Sequence, residues 1–259
     1  MGTVDTRQLW APKELDTPER MLAEARKAFF VMFGVMVVIW AVQVVNWMDQ
    51  QQLSQEYGVV PHDVARLPEI FTAPFLHFSW AHIESNSGPL FVFGFLAAYR
   101  GVARFLWLTL LVTVTSGLAV WIFQSGDTVG AGASGVIFGY FGYVVLRGIF
   151  DRHLIDTLVG LVMGASFAYL LTVAVPGTPG VSWLAHLGGL VGGVIGAWLL
   201  RDRRPATTSG TPTGSGRKSS GLIPPAPTAS GSTASGPGKD VAAGPRSDLH
   251  KELGDLGLL

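Results

Sequence analysis

Three groups of polar residues could carry out chemistry in this otherwise apolar chain. In chain order they are His77, His82, Glu84, Ser85 and Asn86; the run Gly132-Ala133-Ser134-Gly135; and Ala185, His186, Gly188, Gly189, Gly192 and Gly193. Each group lies in or beside a stretch that is apolar enough for a membrane helix. Because lipid cannot satisfy hydrogen-bonding side chains, each group is a candidate functional site.

A serine and a histidine in such stretches point to acyl-transfer chemistry. Ser134 is the candidate nucleophile, and neutral His186 is the candidate base that takes its proton and later returns it to the leaving amine. His82 and Asn86 are four residues apart, so on a helix they share one face. They could donate hydrogen bonds to the developing oxyanion, together with backbone N–H groups near Ser134. The sequence offers no evident carboxylate to orient His186, which leaves its orientation open.

Glycines could bring the nucleophile and the base together. They recur at three- and four-residue spacing in the helix that begins at Ser134 and in the last apolar stretch: Gly135, Gly139, Gly142, Gly189, Gly193 and Gly196. Small residues at this spacing let two membrane helices approach closely. A hydroxyl and an imidazole need such an approach, because they exchange a proton only within about 2.6 to 3.2 Å.

The elements that must position these groups are predicted to be membrane helices. A helix that spans the hydrocarbon core needs about 20 mainly apolar residues. Six such runs occur, at residues 29–47, 79–99, 105–123, 134–149, 154–175 and 183–200. The fourth and sixth are short for a full crossing. The predicted fold class is therefore an all-α polytopic membrane protein with six transmembrane helices, the fourth of them short.

Composition agrees with this class and excludes several functions. Of the 259 residues, 49% are hydrophobic and 14% charged, against about 25% charged in soluble domains. The net charge of zero argues against a nucleic-acid partner. The absence of cysteine excludes a disulfide scaffold, a thiolate nucleophile and a cysteine-ligated zinc site.

The positive charges predict the orientation and the domain boundaries. Of the 18 Lys and Arg residues, all but Arg66 fall on one side of the predicted spans, so both termini are expected in the cytoplasm. The domains are a cytoplasmic segment (1–27), a membrane domain (28–200) and a cytoplasmic tail (201–259). Pro, Gly, Ser and Thr make up 31 of the 59 tail residues, a composition typical of disorder. The first span follows a charged segment and is expected to stay in the mature protein.

The motifs resemble those of the rhomboid family of intramembrane serine proteases. That family has, in this order, a His-xxx-Asn pair on the second helix, Gly-x-Ser-Gly opening the fourth, and Ala-His-xx-Gly-xxx-Gly on the sixth. Here they read His82-Ile-Glu-Ser-Asn86, Gly132-Ala-Ser134-Gly135 and Ala185-His186-Leu-Gly-Gly189-Leu-Val-Gly-Gly193. The resemblance covers residues 29–200 and implies a six-helix bundle with a short central fourth helix and both ends inside.

The resemblance also implies roles and partners. It makes Ser134 the nucleophile, His186 the base, and His82 and Asn86 the oxyanion donors. His77 and the motif glycines Gly132, Gly135, Gly189 and Gly193 would support the site. The implied activity is a serine endopeptidase of the cell membrane that needs no cofactor and cuts transmembrane proteins in or near their spans, so its partners are those substrates and the lipid bilayer. The sequence says nothing about the oligomeric state.

Two departures from the family pattern bear on the first outer loop and the second helix. Many members carry a Trp-Arg pair shortly before the second helix, where this chain reads Leu67-Pro68-Glu69-Ile70-Phe71-Thr72. The packing of that loop is therefore open. Glu84 stands two residues after His82, a helical offset of about 200°, so its side chain is expected off the catalytic face.

Other functions were weighed against the protease. A rhomboid-like pseudoprotease that binds membrane segments without cutting them is the first alternative, and a small-solute transporter or channel is the second, although we find no paired helix interruptions of the kind transporters show. An α/β-hydrolase is excluded, because Val136 stands where its nucleophile motif needs glycine. A metal site at His77, His82 and His186 is disfavoured, because the nearest carboxylate, Glu84, is expected to point away.

Overall fold

A computed structural model describes residues 17–126, 128–177 and 180–202. Seven α-helices occur in these ranges: α1 (Pro18–Met48), α2 (Gln52–Tyr57), α3 (Trp80–Ala98), α4 (Val102–Phe123), α5 (Ser134–Asp151), α6 (Leu154–Ser166) and α7 (Trp183–Leu199). Short 3₁₀ helices lie at Leu67–Phe71, Ala73–Phe75 and Ala168–Val173. The ranges contain no β-strand, only an isolated antiparallel bridge between Val59 and Gly130.

Side-chain caps mark where four of the described helices begin, and three of these caps are hydroxyl groups. The Thr17 hydroxyl oxygen accepts from Arg20 N at 3.3 Å before α1. Ser79 accepts from His82 N at 3.1 Å before α3, and Ser182 accepts from the third residue of α7 at 3.3 Å. Each cap satisfies one of the backbone N–H groups that a helix leaves without an intrahelical partner. The starts of α3 and α7 matter most for the predicted site, because α3 carries His82 and Asn86 and α7 carries His186.

Helix α5 is at the centre of the bundle. It contacts α3, α4, α6 and α7, and its contact with α7 is the most extensive in the described chain. Most of its residues are buried, including the aromatic side chains Phe138, Tyr140 and Tyr143. A helix that buries all of its faces must be apolar all round. The short fourth helix of the sequence prediction is therefore also the central one.

The outer surface of the bundle is strongly apolar. Large hydrophobic side chains remain exposed on α1, α4 and α6, for example Phe30, Val45, Leu106, Trp107 and Leu161. Helices α1 and α4 are long and apolar enough to cross a membrane. The structure has one helix for each of the six predicted runs, but only these two meet that criterion of length and composition. The count of six transmembrane spans therefore stays a prediction.

The fifth predicted run is not one continuous α-helix. Helix α6 ends at Ser166, and the chain continues as a 3₁₀ helix from Ala168 to Val173. The change occurs at Phe167, whose ring packs on Phe93 of α3 with centroids 4.8 Å apart. A 3₁₀ helix rises about 2.0 Å per residue rather than 1.5 Å. The segment after Ser166 is therefore narrower and more extended than predicted, and it ends at the proposed site.

A cluster of charged side chains closes the opposite end of α5. It joins α4, α5, α6 and the residues after α7, and its members are Arg100, Arg104, Arg147, Asp151, Asp156 and Asp202. Arg147 Nε donates to Asp151 Oδ2 at 2.9 Å, and Asp151 Oδ1 accepts from Asp202 N at 2.7 Å. The Arg147 and Asp151 side chains are 7% and 3% exposed. Buried charges of this kind need partners, which each here has in the cluster.

The described residues cover the predicted domains only in part. Ten residues of the predicted N-terminal segment, 18–27, belong to α1. The predicted tail lies outside the described residues apart from Arg201 and Asp202. The domain division therefore remains a prediction.

Candidate active site

Ser134 is the first residue of α5, reached through a turn that needs glycine. Gly132 has a φ of +130°, a region that residues with a side chain rarely adopt. A Cβ on Gly132 would also lie 2.8 Å from His82 Nε2. The turn and the close approach of His82 therefore both exclude a side chain at this position. Ser134 itself is half-buried and faces a cavity.

His186 lies in the first turn of α7 and is held from two sides. Its ring stacks on Phe138 with centroids 4.3 Å apart and 12° between the planes. Its Nδ1 lies 2.7 Å from the carbonyl oxygen of Val173. A carbonyl only accepts hydrogen bonds, so Nδ1 carries the proton in this contact and Nε2 keeps its lone pair. The acceptor that the sequence lacked is thus a backbone carbonyl, and neither Val173 nor Phe138 carries a signal that sequence reasoning could have used.

Helices α5 and α7 approach to backbone contact beside these two residues. A Cβ on Gly189 would lie 1.9 Å from Gly135 O, and one on Gly193 would lie 2.0 Å from Gly139 O. Real Cβ atoms do not come within 3.0 Å of such atoms. The predicted glycine spacing therefore has a direct physical cause here, because the backbones of the two helices touch.

His82 and Asn86 lie on the same face of α3, towards the turn before Ser134. Asn86 Nδ2 is buried and has no hydrogen-bond partner in the described part of the chain. It lies 3.8 Å from the ideal Cβ position of Gly132. Glu84 is exposed and does not line the cavity, as the helical offset predicted. The α3 face therefore presents a free amide donor next to the Ser134 turn.

His77 lies in the segment before α3 and supports the same turn. Its side chain is fully buried, and its Nε2 accepts from Ala133 N at 3.4 Å. The rings of His77 and His82 lie edge to face with centroids 5.0 Å apart. Burial and, to a smaller extent, the neighbouring His82 lower the pKa of His77 to about 3. His77 is therefore neutral at ordinary pH and can accept a hydrogen bond from the backbone.

These side chains line one cavity of about 690 Å³. Ser134, His186, His82 and Asn86 all contribute to its wall. Between the described side chains no hydrogen bond joins the Ser134 hydroxyl to His186, although both face the cavity. Catalytic hydrogen bonds are often long before substrate binds. Within the described ranges, no group of three or more His, Cys, Asp or Glu residues is arranged to hold a metal ion.

Arg66 organises the loop between α2 and α3, whose packing the sequence left open. Its side chain donates to three backbone carbonyls around the end of α2, those of Gln55, Glu56 and Gly58, and pairs with Glu69 at 2.7 Å. Val59, which follows Gly58, forms a β-bridge with Gly130 just before the Ser134 turn. In the sequence, Arg66 stands out only as the one positive charge on the outer side of the predicted spans. Its isolated charge was the only feature from which a structural role could have been predicted.

The comparisons with known proteins agree with the motifs. The family model described as the Rhomboid domain matches residues 64–203. An uncharacterized protein of Mycobacterium tuberculosis is 34% identical over 171 residues, which cover 63% of this chain and 71% of the relative. The rhomboid-like protein 11, chloroplastic, of Arabidopsis thaliana is 31% identical over 155 residues, or 54% of each chain. The rhomboid protease GlpG of Haemophilus influenzae is 24% identical over 188 residues, or 70% of this chain and 94% of GlpG.

The fold and these matches define an all-α protein of a membrane-protein family. The chain belongs to the rhomboid family. Members of this family are integral membrane proteins and are generally intramembrane serine proteases. The resemblance drawn from the motifs is confirmed.

Proposed function

We propose that this chain is an intramembrane serine endopeptidase in which Ser134 and His186 form the catalytic dyad. One observation carries the proposal. The two residues line the same cavity, and His186 is held through Nδ1 by the Val173 carbonyl, so that its Nε2 is available as a base. Contact between the α5 and α7 backbones, at Gly135 and Gly189 beside these residues, supports their acting together. The function is hydrolysis of a peptide bond in or near a transmembrane segment.

The reaction follows from the placement of these groups. The Ser134 hydroxyl attacks the scissile carbonyl while His186 Nε2 takes its proton. The oxyanion that forms accepts hydrogen bonds from Asn86 Nδ2, from His82 and from the backbone at the start of α5. His186 then gives the proton to the leaving amine. Water attacks the acyl-enzyme next: His186 Nε2 takes a proton from the water and returns it to Ser134 Oγ as the acyl group leaves. Loss of one oxyanion donor costs about 2.7 to 4 kcal/mol in comparable sites.

The proposal includes the arrangement in the membrane. The six long helices are six spans of a plasma-membrane protein, with both termini in the cytoplasm and the mouth of the cavity at the outer face. The substrates are transmembrane proteins. Because the chain contains no cysteine, single cysteines can report this orientation. A cysteine at Ser125 should react with an impermeant maleimide from outside cells, whereas one at His153 should react only after lysis.

Cleavage of a transmembrane reporter by the purified chain in liposomes tests the activity. Ser134→Ala and His186→Ala should each abolish cleavage, because each removes one half of the proton transfer. Ser125→Ala, on an exposed residue, and His153→Ala, on a half-buried one, are matched controls outside the cavity lining. Both should cleave as the unchanged chain does. Equal cleavage by Ser134→Ala and the unchanged chain would contradict the dyad.

A second candidate is a pseudoprotease that binds membrane segments without cutting them. The absence of a hydrogen bond between the described Ser134 and His186 side chains favours it. A fluorophosphonate probe separates the two functions, because it labels an activated serine without requiring a docked helix. Labelling that is lost in both Ser134→Ala and His186→Ala supports the protease. An unlabelled chain that still captures a transmembrane segment supports the pseudoprotease.

A further inference from the structure

A buried hydrogen-bond network lies at the end of α1, outside the three sequence motifs. Asn46 is fully buried, and the two hydrogens of its Nδ2 group are shared among Gln51 Oε1 at 2.7 Å, Ser54 Oγ at 2.8 Å and the carbonyl oxygen of His77 at 2.9 Å. Its Oδ1 accepts from Ser54 N at 3.2 Å. One amide thus joins α1, α2 and the segment before α3.

Two donors of this network converge on one backbone atom. The His77 carbonyl accepts from Asn46 Nδ2 and also from Ser54 Oγ, at 3.2 Å. Both donor side chains are fully buried, so no water competes for the carbonyl. Buried polar networks that are satisfied in this way hold their members rigidly. The backbone at His77 is therefore fixed from α1 and α2 together.

The His77 ring carries this constraint to the nucleophile's turn. Ala133, immediately before Ser134, donates its N–H to His77 Nε2. Gly132 donates its N–H to the carbonyl oxygen of Ala73 in the same outer segment, at 2.9 Å. Both backbone N–H groups that precede Ser134 are thus bound by the segment before α3. That segment is in turn bound by Asn46 and Ser54.

We infer that Asn46, supported by Ser54, is a positioning residue that holds the Gly132–Ala133 turn through His77 and so sets the geometry of Ser134. This inference rests on the proposed function for its catalytic consequence. Its structural part, the fixing of the turn, does not depend on catalysis. Neither residue lines the cavity, so each acts on Ser134 indirectly, and His77 is the residue that contacts both Asn46 and the turn.

The test compares Asn46→Leu with Gln43→Leu in the full chain in liposomes. Gln43 lies one turn earlier in α1 and is also fully buried, but its amide has no hydrogen-bond partner in the described chain. Both substitutions remove a buried amide from the same helix. Only Asn46→Leu breaks the path to His77. Ser54→Ala, which removes one of the two donors to the His77 carbonyl, is the milder variant to use if Asn46→Leu does not fold.

Two readouts are needed. The first is amide hydrogen exchange in peptides covering residues 128–136, which should be faster by about tenfold in Asn46→Leu and unchanged in Gln43→Leu. The second is the cleavage rate of a transmembrane reporter well below the unfolding temperature. In Asn46→Leu, kcat should fall by about tenfold or more with KM within about twofold, because a misplaced nucleophile affects the reaction and not docking. A general loss of folding would move both parameters.

Exchange at the turn that is the same in folded Asn46→Leu and the unchanged chain overturns the inference. Equal acceleration in Gln43→Leu overturns it as well, because a generally loosened α1 would then be the cause. If the unchanged chain neither cleaves a reporter nor reacts with a fluorophosphonate, the proposed protease function fails. The exchange result still decides whether Asn46 holds the turn.

Discussion

The contact between α5 and α7 gives the sharpest prediction, through the substitution Gly189→Ala. The new Cβ would lie 1.9 Å from Gly135 O, whereas real contacts begin at 3.0 Å. The two backbones must therefore separate locally by about 1 Å. Gly135 adjoins Ser134, and His186 is three residues before Gly189 on α7. Both members of the proposed dyad thus move with the contact.

The size of the effect follows from this displacement. A misplacement of about 1 Å in a catalytic group can cost on the order of 100-fold in rate. Forcing an extra methyl group into a packed interface also costs about 1 to 3 kcal/mol of stability. We therefore expect Gly189→Ala to lower kcat by about two orders of magnitude and to lower the unfolding temperature. Reporter cleavage in liposomes and thermal unfolding in detergent measure the two effects.

Two further alanine substitutions separate the causes. Gly193→Ala creates nearly the same clash, 2.0 Å from Gly139 O, but one turn further from the dyad. It should lower the unfolding temperature about as much as Gly189→Ala does, but it should lower kcat much less. Gly34→Ala on α1 meets no atom within 4 Å and should stabilise that helix by up to about 1 kcal/mol without changing cleavage. A folded Gly189→Ala protein that keeps more than half of the normal kcat would refute the reasoning.

The remaining predictions concern other parts of the fold. Arg66→Ala should destabilise the protein by about 1 to 3 kcal/mol in thermal unfolding, because it leaves backbone carbonyls without a hydrogen-bond donor. Arg66→Lys should restore little of this stability, because an ammonium group lacks the planar, forked geometry of a guanidinium. Asp151→Asn breaks a buried pair with Arg147 and should cost about 3 to 5 kcal/mol. Arg147→Met with Asp151→Leu should recover only part of it, because Asp156 and Asp202 also lose Arg147; equal instability of the single and double variants would count against the pairing. His77 stays neutral in the folded state down to about pH 3, whereas the same imidazole in the unfolded chain is protonated below about pH 6.5. The free energy of unfolding should therefore fall by about 1.4 kcal/mol for each pH unit below about 6.5. His77→Gln should make this pH dependence smaller.

Sequence reasoning reached the helices and the motif residues because both have a periodic or compositional signal. Each of the six apolar runs corresponds to one α-helix, although the fifth run continues as a 3₁₀ helix, and the start of α5 falls on Ser134 as predicted. The glycine spacing predicted the closest helix contact, because no side chain fits where Gly189 meets Gly135. Membership of the rhomboid family followed from three motifs in the correct order.

Other features depend on backbone atoms, which every residue type supplies alike. The orientation of His186 depends on the Val173 carbonyl, and the first loop depends on carbonyls that Arg66 gathers. Nothing in the type of Val173 marks it as an acceptor. Asn46 was a polar residue within an apolar run, yet its partners are 5, 8 and 31 residues away along the chain. Such contacts exist only once the tertiary fold has formed.

The acceptor for His186 also has a physical explanation in the apolar setting of the site. A buried carboxylate would lose its hydration and would cost several kcal/mol unless it were fully paired. A backbone carbonyl carries no net charge and escapes that cost, although it stabilises an imidazolium less. The 3₁₀ helix ends at Val173, and the last carbonyls of a helix have no partner within it. The end of this helix therefore offers a free acceptor beside His186, and the Phe138 ring stacks on the imidazole that a carboxylate would otherwise orient.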